Sequence, residues 1–282
     1  MKNESYISSG ARLHYLNSDA GVPVVFLHPT PLDHFYWLPL IERLPSLRGL
    51  VLDLRAHGAS ELSGALSPAL PLGGFSRVPD APTLTMAQLA SDTIALLDEL
   101  ALKEAVFVGC SIGGYVMLEL WRRVPERMRG LAFICSKPQP DAEANFVKRT
   151  DTIARARAGE REALFDGMVQ ASTGATARAR RPAIITELRA RMTLTTDAIV
   201  AVQAGLAARP DSVPTVSTIN VPVFGIAGGE DFAVSSAEME AFRTTRGGCD
   251  LHVLPDAGHF AAYEQPDTVA ALLTPWLRQF GV

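Results

Sequence analysis

A serine set among glycines, Gly109-Cys110-Ser111-Ile112-Gly113-Gly114, joins the apolar run Ala105-Val106-Phe107-Val108 to a second apolar stretch from Tyr115 to Trp121. This reads as strand, sharp turn, helix. A turn that tight places its central residue in a strained backbone conformation and brings strand and helix into close contact, which leaves no space for large side chains at 109 and 113. Its product is a nucleophile elbow: one hydroxyl, that of Ser111, raised at the top of a sheet and at a helix N-terminus.

A serine is a weak nucleophile near neutral pH unless a base takes its proton and a third group orients that base. Of the six histidines, His259 is placed best. It follows the strand-like run Leu251-His252-Val253-Leu254 within Asp256-Ala257-Gly258-His259-Phe260, and it precedes a helix start at Glu264-Gln265-Pro266. A loop at a strand end lets a base reach sideways. The orienting acid is expected between serine and histidine in chain order. The buried, parallel-type strand Val221–Gly228 runs directly into Gly229-Glu230-Asp231. Asp231 is the assigned acid and Glu230 its nearest competitor. The other known solution is an acid after the preceding strand. Leu131–Ser136 is followed by Lys137-Pro138 and offers no carboxylate until Asp141.

A tetrahedral intermediate also needs N–H donors aimed at its oxyanion. Ile112 supplies one beside the nucleophile. The loop after Val24-Val25-Phe26-Leu27, His28-Pro29-Thr30-Pro31, supplies the other. Proline has no N–H, so Thr30 is the only backbone donor of this turn beyond His28, and its hydroxyl is expected as a further donor. Thr30–Pro31 is a candidate cis bond.

These residues resemble one family across nearly the whole chain, the α/β-hydrolase-fold serine hydrolases. The marks are the His28 loop, Asp53-Leu54-Arg55-Ala56-His57-Gly58-Ala59-Ser60, the serine elbow, Gly229-Glu230-Asp231 and Ala257-Gly258-His259-Phe260. Within the fold the chain is most similar to the enol-lactonase, small esterase and cofactor-free haloperoxidase-like group. It departs from the family at two places: Pro29 stands where glycine is usual, and so does Ala56. Ser111 at the elbow argues against the branches that use an aspartate there. The resemblance implies that His28 supports the oxyanion loop by hydrogen bonds, that Ser111, Asp231 and His259 form a catalytic triad, that Thr30 and Ile112 form the oxyanion hole, and that no cofactor or metal is required.

Segments near Tyr6–Ser9 and Arg12–Leu16 read as an opening hairpin. Strands follow at about 22–28, 48–54, 105–110, 131–136, 221–228 and 250–255, with helical patterns between them at His34–Leu44, Thr85–Leu102, Ile112–Arg123, Ser235–Thr244 and Pro266–Phe280. The expected fold is therefore α/β, a mostly parallel eight-stranded sheet with helices on both faces. Ligands bind such sheets at the carboxyl ends of the strands, where Ser111, Asp231, His259 and Thr30 all fall. Two regions interrupt the alternation. Glu61–Thr83, rich in proline and glycine, is too long for an ordinary connection and reads either as a loop over the active-site rim or as a surface loop. Gln139–Asn220 carries spaced apolar residues that read as several amphipathic helices. The resemblance makes 139–219 a helical cap inserted into a core of 1–138 and 220–282.

Composition agrees. Apolar residues make up 48% of the 282 residues, enough for a sheet covered on both sides. A net charge of −4 gives no electrostatic case for nucleic acid. Three cysteines without a spacing pattern read as reduced thiols. The N-terminus lacks the apolar core of a signal peptide and no run of about 18 apolar residues exists for a membrane span, so a cytoplasmic protein with no membrane partner is expected. The cluster Arg178-Ala179-Arg180-Arg181 reads as a solvated helix end. His57 and His34 read as structural, and His14 and His252 as strand residues.

The function expected from this set is hydrolysis of a carboxylic ester or lactone of a small, largely apolar molecule through a Ser-His-Asp acyl-enzyme. Two alternatives use the same fold: a carbon–carbon bond hydrolase acting on a diketone, and a non-hydrolytic cyclase or ligand-binding receptor.

Overall fold

A computed structural model of the chain describes residues 1–44, 47–64, 66–67 and 82–282. The proline- and glycine-rich part of Glu61–Thr83 lies outside them for residues 68–81.

Eight strands form one sheet: β1 Lys2–Ser8, β2 Ala11–Asn17, β3 Pro23–Leu27, β4 Arg48–Leu52, β5 Ala105–Cys110, β6 Met128–Ile134, β7 Val223–Gly228 and β8 Cys249–Leu254. Their spatial order is β1-β2-β4-β3-β5-β6-β7-β8. β1 pairs with β2, and β2 with β4, antiparallel; every other pairing is parallel. The expected fold class is therefore the observed one. The central strands are continuous apolar runs because helices cover both of their faces; β5 and β7 are buried at every position. β1 begins earlier than its apolar pattern suggests. Its first residues, Lys2-Asn3-Glu4-Ser5, are polar edge residues whose pairing with His14–Asn17 the backbone ladder supplies.

The helices follow the expected places with shorter spans. The segment at 34–44 is not one helix but a 3-10 turn, His34–Trp37, followed by Leu38–Ile41. Pro39 accounts for the break, since proline is tolerated only in a helix's first turn. Met86–Glu99 is capped by Thr85, whose side chain accepts from the Gln88 N–H. Ile112–Arg123 begins directly after Ser111. The last helix is Pro266–Leu277 with a 3-10 end at Arg278–Phe280.

Two features of the loops at the strand ends position the site. A Cβ at Gly113 would overlap the Leu27 carbonyl oxygen, so only glycine lets the helix start this close to β3. After β4, the fully buried Arg55 grips Asp92 of helix Met86–Glu99 through Nε at 2.8 Å and Nη2 at 2.7 Å. Removing one partner of such a pair costs about 3–5 kcal/mol. The next residue, Ala56, has φ 72°, a left-handed conformation that costs a non-glycine residue about 1 kcal/mol. That accounts for glycine being usual at this position.

Between β6 and β7 lie Glu143–Arg157, Arg161–Ser172, Ala175–Arg180, Ala183–Arg189, Thr196–Ala207 and Val213–Val216, all helical. Among the described residues no helix is long and apolar enough to cross a membrane.

Candidate active site

Ser111 has φ 52° and ψ −116°, a sparsely populated conformation of the kind that costs about 1–3 kcal/mol and recurs at functional sites. It is held from both sides. Its N–H donates to the Ile134 carbonyl at 3.1 Å, and its carbonyl accepts from Gly114 N–H at 2.9 Å and from the Ser136 hydroxyl at 3.0 Å. The first N–H groups of a helix have no intrahelical acceptor, so Ile112 N–H is presented beside the serine.

His259 Nδ1 lies 2.8 Å from Asp231 Oδ2. The other carboxylate oxygen, Oδ1, accepts from Ala233 N–H at 2.8 Å and Val234 N–H at 3.1 Å. Burial works against charge on the imidazole, but the Asp231 carboxylate outweighs it, and the pKa of His259 lies above the ordinary histidine value. Burial likewise opposes the Asp231 charge, and the charge of His259 with three hydrogen bonds holds its pKa below the ordinary range. Glu230 points elsewhere: it accepts from Thr176 N–H at 2.9 Å and Thr176 hydroxyl at 2.6 Å. The geometry thus separates the two carboxylates that sequence left adjacent.

The loop expected to hold the second oxyanion donor is supported by two neutral imidazoles whose rings lie 5.0 Å apart, tilted by 59°. His28 Nε2 accepts from Leu54 N–H at 3.0 Å, so its proton is on Nδ1 and donates to the Pro29 carbonyl, also at 3.0 Å. Burial pushes its pKa down to about 3. His57 Nδ1 donates to the Arg55 carbonyl at 2.9 Å, and burial pushes its pKa down to about 4. Its Nε2 is therefore an acceptor, and the hydroxyl that lies 2.9 Å from it, Thr30 Oγ1, donates to it. This corrects the expectation that the Thr30 hydroxyl serves as a further oxyanion donor: its proton is committed, and the backbone N–H is what Thr30 has to offer. Thr30–Pro31 is cis. His57 is thus a support of this loop that sequence reading placed only as structural.

Glu264 was missed altogether. Its Oε2 accepts from Gly258 N–H at 2.8 Å and from Gly174 N–H at 3.1 Å, and its Oε1 from Phe260 N–H at 3.1 Å. One carboxylate therefore clamps both chain neighbours of His259 and ties them to the inserted helices. Burial raises its pKa in spite of these bonds. Nothing in Phe260-Ala261-Ala262-Tyr263-Glu264 marks this role, because the bonds are made to backbone.

Ser111, His259 and Thr30 line one cavity of about 220 Å³. Phe165, Met168, Leu194, Ile199, Val202 and Leu206 from the insertion line it as well. Phe146 does not. It packs against Ile153, Val200 and Ala204 in a separate small cluster.

Two donor groups among the described residues are compact enough to hold a metal ion: His14, His34 and Asp53, and Cys135, Asp231 and His259. In the first, the two Nδ1 atoms each lie 2.8 Å from a different Asp53 oxygen, and both oxygens also accept backbone N–H groups. This gives His14 and His34 the partner that the sequence did not reveal. In the second, burial pushes the Cys135 thiol up, and the thiol donates to the Gly258 carbonyl. Hydrogen bonding already accounts for both groups.

Comparison with known proteins agrees with this architecture. The model of the alpha/beta hydrolase family matches residues 24–272. Over 274 residues the chain is 29% identical to the 2-succinyl-6-hydroxy-2,4-cyclohexadiene-1-carboxylate synthase of Salmonella arizonae, covering 94% of this chain and 99% of that one. A thermophilic esterase from Thermogutta terrifontis, solved with malate bound, superposes with a TM-score of 0.85 over 100% of both chains at 26% identity. The enol-lactonase from Burkholderia xenovorans LB400 superposes with a TM-score of 0.83 over 98% of this chain and 100% of that one; at 24% identity it is a likeness of fold.

Proposed function

This chain belongs to the alpha/beta hydrolase family, and from that premise we propose that it is a serine hydrolase that opens a small carboxylic ester or lactone through an acyl-enzyme. The observation that carries the proposal is the 2.8 Å Asp231–His259 pair, whose histidine opens on the same cavity as a strained serine at the N-cap of a helix. Ser111 attacks the carbonyl carbon. His259 takes the hydroxyl proton and returns it to the leaving oxygen. Asp231 fixes the proton on Nδ1 and stabilises the imidazolium. The Ile112 and Thr30 N–H groups receive the oxyanion; a single donor of this kind is worth about 10²–10³ in rate. Water deprotonated by His259 then releases the acid. Labelling of Ser111 by a fluorophosphonate, with turnover of p-nitrophenyl esters and lactones of graded size, tests the proposal. Absence of both outcomes ends it.

The pH profile is a second expected result. The base must be neutral to accept a proton, and Asp231 favours its charged form. The acid limb of kcat/KM is therefore expected to rise with a midpoint above the ordinary histidine value of about 6.5. A midpoint at or below that value would show that the pair does not control the reaction.

We also propose that 139–219 acts as a cap that selects substrates by size. Phe165→Ala and Met168→Ala are expected to change the ranking of esters by acyl length by roughly ten-fold or more, on the scale of one to a few lost methylene contacts. Phe146→Ala is expected to lower thermal stability without reordering the substrates. A ranking unchanged by the first two substitutions would refute the cap's role.

A second reading rests on the relatives named as synthases, which match nearly the whole chain. Here the same serine and histidine serve a reaction in which no water enters. A chain whose Ser111 labels while no ester or lactone in the panel is turned over would favour it.

A further inference from the structure

The cavity is apolar on one part of its lining and cationic on another, and the cationic part is not neutralised. Lys137 is paired with Glu238. Asp141, however, is shared by two guanidinium groups, those of Arg149 and Arg209, the latter at 2.5 Å. One carboxylate against two cations leaves a positive charge. Lys148, one residue before Arg149 on helix Glu143–Arg157, also lines the cavity and has no ion-pair or hydrogen-bond partner for its ammonium among the described residues.

The donors are available as well as the charge. A guanidinium has five N–H groups. Arg149 spends three, two on Asp141 and one on the Gln203 side-chain oxygen at 3.0 Å. Arg149 is held in place by these bonds, so a ligand would not have to order it. Asn145, on the same helix, lines the cavity with a side-chain amide that has no partner among the described residues. Asp141 answers Arg149 and Arg209 together with a single charge, and no acid answers the exposed Lys148 among the described residues, so a ligand anion would meet a surplus cation here.

We propose that the substrate carries a free carboxylate, distal to the carbonyl that Ser111 attacks, and that this carboxylate binds against Arg149 and Lys148. The substrate class is thus the half-ester of a dicarboxylic acid or the lactone of one, its carbon chain lying against the apolar lining. This replaces the largely apolar molecule suggested by the sequence. The inference rests on the hydrolase reading above and is separable from it by experiment.

The test compares two esters with one leaving group, mono-p-nitrophenyl glutarate and p-nitrophenyl pentanoate, at low and at high salt. A charge-assisted pair is strong enough to be read as a rate ratio. The glutarate half-ester is expected to have the higher kcat/KM by about ten-fold or more at low salt, with the ratio shrinking as salt screens it. Arg149→Met and Lys148→Ala are each expected to reduce the ratio several-fold. If Arg149→Met is recovered unfolded, the exposed Lys148 decides alone. Equal or better use of the pentanoate, or turnover of neither ester by a chain whose Ser111 labels, overturns the inference and leaves the nucleophile in place. A ratio unmoved by the two substitutions overturns the assignment to these residues. If Ser111 neither labels nor turns over either ester, the hydrolase reading falls and this inference with it.

Discussion

Ser111→Ala is expected to lower kcat by about 10⁴-fold to 10⁶-fold, leaving only the residual rate that binding and the oxyanion donors give. The effect is this large because no other hydroxyl among the described residues is so placed. Ser111 occupies a backbone conformation that neighbouring residues impose, and it precedes a helix whose first N–H, that of Ile112, has no intrahelical acceptor. The substitution should leave the fold alone. Alanine meets the same backbone strain as serine, and the bonds that hold residue 111 are made by its N–H and carbonyl. A thermal midpoint within a few degrees of the parent, with activity and fluorophosphonate labelling both lost, is the predicted pair of readings. Near-parental turnover in a preparation free of the parent protein would remove Ser111 as the nucleophile.

The next largest effect is expected at the acid. Asp231→Asn should reduce kcat by about 10⁴-fold, whereas Glu230→Gln should change it only a few-fold. The reason lies in the two oxygens of Asp231. Oδ1 is fixed as an acceptor by Ala233 and Val234. An asparagine keeps that arrangement only by placing its oxygen there, which turns its NH₂ toward His259 Nδ1. The imidazole then has to carry its proton on Nε2 and cannot accept one from Ser111. The acid limb of the pH profile should also move down, because the charge that raises the histidine pKa is gone. The Glu230→Gln change, by contrast, keeps a side-chain oxygen for Thr176. A crippled Glu230→Gln beside an active Asp231→Asn would place the acid one residue earlier.

The parts of this site that were legible in sequence are those whose meaning is local. The elbow is one: glycine, serine and glycine between two apolar runs force a strand-to-helix turn wherever they occur together. His259 and the pair Glu230-Asp231 are others, each fixed to the end of a strand. Asp231 is assigned over Glu230 from sequence, but what engages Glu230 instead, Thr176, lies 54 residues away and is seen only in the fold. The role of His57 needs the sheet order, because β4 lies beside β3 and so brings His57 to Thr30. Glu264 is silent because it bonds only to backbone. The cationic lining is scattered over Lys137, Lys148 and Arg149, and its surplus appears only when Asp141 is seen to answer Arg149 and Arg209 together. Helix breaks were misjudged where a proline fell inside an apolar period, as at Pro39.

The clamp at Gly174 bears on how this chain can be recombined. An insertion between two strands invites exchange, with one relative's helices grafted onto another's sheet. Here the seam is not free. Glu230 and Glu264 reach from the sheet side to the backbone N–H groups of Thr176 and Gly174. A Cβ at residue 174 would crowd Glu230 Oε2, Gly258 N and Glu264 Oε2, all within 3 Å of it. A donor segment with any other residue there would displace the loop that carries His259. Most of the graft could vary in sequence, since the bonds ask for main chain, but that one position could not. Chimeras that retain glycine at 174 are the ones expected to keep His259 in register.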